Sequence, residues 1–425
     1  MIRRSRARGL VGLLVAVATT LSPSGGTSVA GAAATDRDRA AIQSLLDRRA
    51  EAVLARDRDA FLATIATDSR AFVARQRRFF RHVGDVPLAS YRLVVAWDRY
   101  GDLVRPSDAA RYPGAEVVSI PLTEERYRIE GFDRAEAVED TFFTFVKERG
   151  EWLIAEDTDL DDLTLFSGRK LWDFGAIEAR RSRHFLLLDH PCVGSSCPAE
   201  HDYLGLAEQG LSRVARYWRD VPRRTVMLVP ETEAELGRLI QATFDLDNFV
   251  AFAYSTVDLD EGVDYTGHRV ILNPDAFRGR PSDVVLQILA HEMLHVATRD
   301  AAGPFIPIFV DEGWADHVGN DANPAALAFF NSEVAAGLFS GELPEDYEFT
   351  VGSGTDIYRS YQESQSAVRY FVGRWGRRAF VRFYRHLGRQ RIAPGTVRYH
   401  LDRSLKKVIG LDYDAFQRDW ADSIT

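Results

Sequence analysis

The chain has 425 residues, 46% hydrophobic and 27% charged. That is an ordinary globular balance, with room for two or three domains, and it excludes bulk disorder. The net charge is −9, and the basic residues form no stripe interleaved with aromatics, which argues against nucleic-acid binding.

Residues 1–34 read as a secretory signal peptide. Arg3, Arg4, Arg6 and Arg8 give a positive start, an apolar run follows from Leu10 to Leu21, and the small residues from Ala30 to Ala34 suit a cleavage site. The apolar run is shorter than the roughly 20 residues a bilayer span needs, and no cysteine follows it to take a lipid. Losing four arginines moves the charge from −9 to −13. The expectation is an acidic, secreted or extracytoplasmic protein with no membrane span.

Residues 36–165 form a first unit. Ile42, Leu45, Leu46, Ala50 and Val53 recur at three- and four-residue steps and predict a helix. Strand-like runs follow at 91–98, 115–129, 135–149 and 151–158, the last two joined by an Arg149-Gly150 turn. Helices followed by a curved antiparallel sheet make an α+β unit. The pattern, including the closing "KERGEWLIAEDTD", resembles the NTF2-like cone fold. His82 reads as a structural histidine, and the unit's expected role is binding or spacing.

Residues 170–425 form the second unit. Strand-like runs lie at 184–191 and 224–230, around a helix near 201–218. Cys192 and Cys197, four residues apart in "HPCVGSSCPAE", are expected to close a small disulfide loop in an oxidising compartment. "NFVAFAYS" and "HRVILNP" bracket an acidic run with Asp258, Asp260, Glu261 and Asp264. Its spacing does not match an EF-hand, so a solvated loop is expected there, not a calcium site. After Pro281 the sequence is mostly helical, and Ser282 or Asp283 is the expected cap of the next helix.

That helix carries "AHEMLHVATRD". His291 and His295, four residues apart, fall about 40° apart on one helical face, close enough to share one cation, with Glu292 beside them. Two imidazoles suit zinc, a catalytic zinc keeps one position open, and a neighbouring carboxylate can take a proton from water. The site needs a third ligand. Glu312, 17 residues after His295 in "FVDEGWADHVGN", supplies one. Asp316, one turn further on, is placed to receive the second N–H of a ligand histidine. Asp311 competes with Glu312, and only the helical phase shared with Asp316 favours the latter. His317 points about 100° away from Asp316. Ala301 stands where metzincins carry a third histidine.

HExxH followed by a helix reading E-G-x-A, with the aspartate of Asp316, resembles the gluzincin metallopeptidases of the peptidase MA-like group. The resemblance covers roughly residues 180–425. It implies a thermolysin-like domain with a mixed sheet then helices, and one Zn²⁺ held by His291, His295 and Glu312, with Glu292 as general base and acid. It also implies an oxyanion donor on a later helix. "YQESQSAVRYFVGRWG" puts Tyr361 first for that role, Tyr358 second and His386 third. Either "NFVAFAYS" or "HRVILNP" is expected to pair with an extended substrate. The functional expectation is an exported zinc peptidase acting on a peptide or protein. The alternative is a non-catalytic scaffold that captures a ligand with the NTF2-like unit, against which the intact Glu292 argues.

Overall fold

A computed structural model describes residues 34–191, 201–242, 246, 249–259, 264–303, 305–390 and 397–424. The signal-peptide reading therefore rests on residues almost wholly outside the described ones. Cys192, Cys197, Asp260 and Glu261 lie outside them too. The chain is α+β, with antiparallel sheets in its first part and a mixed sheet in its second.

The first helix, Asp36–Ala55, buries the face predicted for it, from Ile42 to Val53. Its start is fixed by a capping box in which Thr35 and Asp38 exchange hydrogen bonds. Asp38 also accepts from Lys147 Nζ at 2.8 Å and Trp152 Nε1 at 3.2 Å, tying the helix to the sheet behind it. Helices Arg58–Leu62 and Arg70–His82 follow, with His82 buried at the end of the second.

The sheet differs from the single curved one expected. It consists of two three-stranded antiparallel sheets, β1 (Leu88–Val95), β3 (Thr123–Ile129) and β4 (Ala137–Thr141) in one, β2 (Val117–Ser119), β5 (Thr144–Glu148) and β6 (Glu151–Glu156) in the other. Each long strand-like run breaks in the middle, the first at Ile120–Leu122 around Pro121, which has no N–H for a ladder, the second at Phe142–Phe143. Arg149 and Gly150 turn the β5–β6 hairpin with φ 52° and 82°, the pair of positive φ values that such a two-residue turn requires.

In the second unit β7 (Glu178–Arg181), β8 (Phe185–Asp189), β9 (Thr225–Val229), β10 (Ala251–Asp258) and β11 (Asp264–Leu272) form one sheet in the order β10-β11-β9-β8-β7. Strand alternation divides its faces. Leu187, Met227, Ala253 and Val270 join the core of the C-terminal helices, while Leu186, Leu228, Phe252 and Ile271 join the core of the first unit. The molecule is thus layered, with the first unit behind the sheet and the helices in front. Ion pairs cross the rear interface, the buried Arg269 with Asp133 at 2.6 Å and Arg126 with the half-buried Asp258 at 3.0 Å.

On the front face helix Tyr203–Tyr217 packs against helix Ser282–Thr298, and helices Ile308–Gly319, Gly354–Trp375, Arg377–Gly388, Val397–Ile409 and Tyr413–Asp422 complete the layer. Pro281, not Ser282 or Asp283, occupies the cap position of Ser282–Thr298, and Ser282 is its first helical residue. Among the described residues no helix is long and apolar enough to cross a membrane.

Candidate metal centre

The site stands where three helices meet. Ser282–Thr298, the motif helix, is anchored by Val285, Leu289 and Met293, which are buried in the front core. This leaves His291 and His295 on the side facing helix Ile308–Gly319. Two glycines let that second helix approach. A Cβ on Gly319 would lie 2.8 Å from the Gln287 carbonyl oxygen and 3.2 Å from the His291 Cβ, and one on Gly313 only 2.4 Å from the Ser364 carbonyl oxygen. Helix Gly354–Trp375 therefore lies directly against the backbone beside Glu312.

The structure brings together His291, His295 and Glu312. The Nε2 atoms of the two histidines are 3.1 Å apart, and Glu312 Oε2 lies 3.1 Å from His291 Nε2 and 3.3 Å from His295 Nε2. Donors about 2.0–2.1 Å from a tetrahedral zinc are roughly 3.3 Å from one another. The three donor atoms thus already have the spacing of one face of such a tetrahedron. They are also the only group of three or more His, Cys, Asp or Glu among the described residues placed to share an ion.

The outer nitrogens explain why these lone pairs converge. His291 Nδ1 lies 2.8 Å from Asp316 Oδ1. An ionised carboxylate only accepts, so Nδ1 carries the hydrogen and Nε2 is left as the donor atom. His295 Nδ1 faces Asp311 Oδ2 at 3.6 Å, and Asp311 in turn accepts from the Tyr384 hydroxyl. Sequence reasoning weighed Asp311 only as a competing ligand. Its side chain instead stands behind His295, as Asp316 stands behind His291. Nothing in the sequence marked Tyr384.

Electrostatics agree with a centre that wants positive charge. Burial opposes ionisation of all three groups, but their mutual attraction prevails. The Glu312 carboxyl is held down to about 2, His295 is pushed up to about 9, and His291 is raised well above its usual value by Asp316 and Glu312. Two imidazoles with facing Nε2 atoms and a buried carboxylate fit a divalent cation with a preference for nitrogen and oxygen donors, such as zinc.

Glu292 is buried beside this cluster. Burial raises its pKa, against the pull of His291 and His295. Tyr361 lies next to the site, its ring 6.5 Å from that of His291 and edge-on to Phe349 at 5.2 Å. Burial first, then the charges of Glu312, Asp316 and Glu292, hold its hydroxyl well above the ordinary value. Tyr358 is 49% exposed and packs on Phe329. His386 hydrogen-bonds Ser404 at 2.9 Å, in surroundings made basic by Lys407, Arg403 and Arg389, unlike the acidic surroundings of Tyr361. His317 turns away from the centre and stacks on Trp314, its pKa lowered by burial to about 4.

Of the two segments expected to offer a strand edge, "HRVILNP" belongs to β11, which is paired on both sides by β10 and β9. "NFVAFAYS" belongs to β10, the outer strand. The chain matches no protein-family model, no curated protein and no solved structure. The functional reading is carried by the geometry of the centre itself.

Proposed function

We propose that the chain is an exported zinc-dependent peptidase that hydrolyses peptide bonds with Glu292 as general base and acid. The observation that carries this reading is the convergence of His291 Nε2, His295 Nε2 and Glu312 Oε2 at 3.1–3.3 Å from one another, beside a buried carboxylate that is not one of the three. The resemblance of the HExxH helix and the Glu312–Asp316 pair to gluzincins supports the same class.

Bound zinc lowers the pKa of water to about 7 and polarises carbonyl oxygens. The chain's own residues do the remaining work. His291, with its tautomer set by Asp316, and His295, backed by Asp311, present fixed donor atoms. Glu292, its proton affinity increased by burial, takes a proton from water and returns it to the leaving amine. Tyr361 stays protonated at neutral pH, its ring 6.5 Å from that of His291, and is the proposed donor to a carbonyl oxygen that gains charge. The outer edge of β10 offers backbone groups to an extended peptide or protein substrate.

The test is metal analysis and cleavage-site profiling of the mature chain beside Glu292→Gln. Both proteins are expected to hold one zinc, and only the native chain to cleave peptides. Cleavage by the variant, or a native chain that takes up no metal, ends this reading.

A further inference from the structure

Helices Arg377–Gly388 and Val397–Ile409 gather charge of one sign. Residues 374–407 hold eleven arginines and lysines against one acid, Asp402, in a chain whose net charge is −9. The rest of the chain is therefore strongly acidic.

The fold spreads this positive charge over one surface. Arg378, Arg382, Arg385 and Arg389 recur at four-, three- and four-residue steps, so they fall within about 60° of one another around their helix and its cap. The stripe they make is about 16 Å long. Arg403 and Lys406, with Lys407 beside them, form a second stripe on Val397–Ile409. The other faces of both helices, with Phe380, Phe383, Leu387, Leu401 and Leu405, are buried in the front core. His386 Nδ1 lies 2.9 Å from Ser404 Oγ, which fixes the two helices side by side at the seam between the stripes. Besides burial, the charges acting on the His386 ring are Lys407, Arg403 and Arg389, one from the first stripe and two from the second.

The fold itself makes little use of these cations. Like charges three and four residues apart weaken a helix. Among the described residues, Arg385 meets Asp220 at 2.5 Å and Lys406 meets Asp412 at 3.7 Å, whereas Arg378, Arg382, Arg389, Arg403 and Lys407 are exposed and form no ion pair.

We propose that this face docks the protein on an anionic lipid bilayer, meeting the phosphates of its headgroups. Charges spread along two helices suit a broad layer of negative charge better than one small anion. The apolar faces are committed to the core, so the contact is peripheral and electrostatic, without insertion. The same layer repels the acidic remainder, so this is the face that turns toward it. Tyr399, 50% exposed and four residues before Arg403 on the same stripe, suits the headgroup level, where aromatic rings with a polar tip collect. The proposal stands apart from the peptidase reading.

The experiment is co-sedimentation of the mature chain with two kinds of vesicle, one of phosphatidylcholine alone and one with about a third phosphatidylglycerol. The native chain is expected to bind only the anionic vesicles at about 0.05 M salt and to leave them at about 0.5 M. Each Lys or Arg near an anionic bilayer strengthens binding about five-fold. Arg382→Gln, Arg389→Gln and Arg403→Gln combined are therefore expected to weaken it about 100-fold, with the unfolding temperature unchanged. The same three positions changed to Lys keep the charge and are expected to bind within about three-fold of the native chain.

No binding to anionic vesicles at low salt, equal binding to phosphatidylcholine alone, or native binding by the triple Gln variant overturns the proposal. Tighter binding to a DNA duplex than to the anionic vesicles overturns it in favour of a nucleic-acid surface. If the triple Gln variant does not fold, Arg389→Gln alone decides, with a loss of about five-fold expected. Whether the chain cleaves peptides does not enter any of these measurements.

Discussion

Asp316 and Glu312 hold opposite nitrogens of one ring. Asp316 Oδ1 lies 2.8 Å from His291 Nδ1, and Glu312 Oε2 lies 3.1 Å from His291 Nε2. Four residues apart on helix Ile308–Gly319, the two carboxylates share a face, so in the proposed centre a single helix would supply both a donor to the cation and the group that orients another donor. Removing such an outer partner typically costs 10- to 100-fold in metal affinity. Asp316→Ala is expected to weaken zinc binding by about that factor while leaving the fold intact. Competition against a chelator of known affinity measures it, and a change of less than two-fold would show that the Asp316 contact does not orient His291.

Tyr361 is predicted to act through its hydroxyl and not through its ring. Tyr361→Phe keeps the contact with Phe349 and the packing against His291, and removes only the donor. Loss of a single oxyanion donor costs about 10²- to 10³-fold in kcat. The variant is expected to fall by about that much on a cleaved peptide, with zinc content and unfolding temperature unchanged. If kcat holds, Tyr361 is a packing residue and the donor lies elsewhere.

Two glycines make opposite predictions. Gly313 sits where a Cβ would meet the Ser364 carbonyl oxygen at 2.4 Å, a backbone atom that cannot move aside. Gly313→Ala should push helix Ile308–Gly319 off helix Gly354–Trp375, costing about 1–3 kcal/mol and weakening zinc binding through its neighbour Glu312. Gly373, inside helix Gly354–Trp375, has open space where its Cβ would stand and no left-handed φ. Gly373→Ala should stabilise by about 0.5–1 kcal/mol. Denaturant unfolding of both variants checks the two signs together.

The centre was legible in the sequence because its chemistry is written in side chains at helical spacing. His291, Glu292 and His295 declare one face of a helix, and Glu312 with Asp316 declare another. What remained hidden depends on geometry no spacing encodes. Asp311 precedes Glu312, and only the ring orientation of His295 gives it a role behind Nδ1. β7, Glu178–Arg181, is a short polar edge strand with no apolar alternation to signal it. The break of each long strand run into two also escaped notice, because apolar residues continue through Ile120–Leu122 and Phe142–Phe143 while the ladder partners change.

A carboxyl on the opposite side of the sheet makes the last prediction. Glu139 of β4 is buried where the first unit meets β10, 3.2 Å from the Tyr254 hydroxyl that donates to it. Burial is the main cause, with Glu125 and Asp140 adding to it and Lys170 opposing it, and the carboxyl is pushed up to about 7. The unfolded chain releases this proton near the ordinary value of 4.5, so between those two pH values the folded chain holds a proton that the unfolded chain has lost. The resulting stabilisation is complete below the unfolded value and is lost as pH rises through about 7. It amounts to something on the order of 3 kcal/mol. Glu139→Gln stays neutral at every pH and keeps an acceptor for Tyr254. The variant should therefore match the native chain near pH 4, below the unfolded value of 4.5, and exceed it in unfolding temperature well above pH 7. Parallel curves for the native chain and the variant from about pH 5 to well above pH 7 would mean that Glu139 is already ionised in the fold, with Lys170 outweighing burial at this interface.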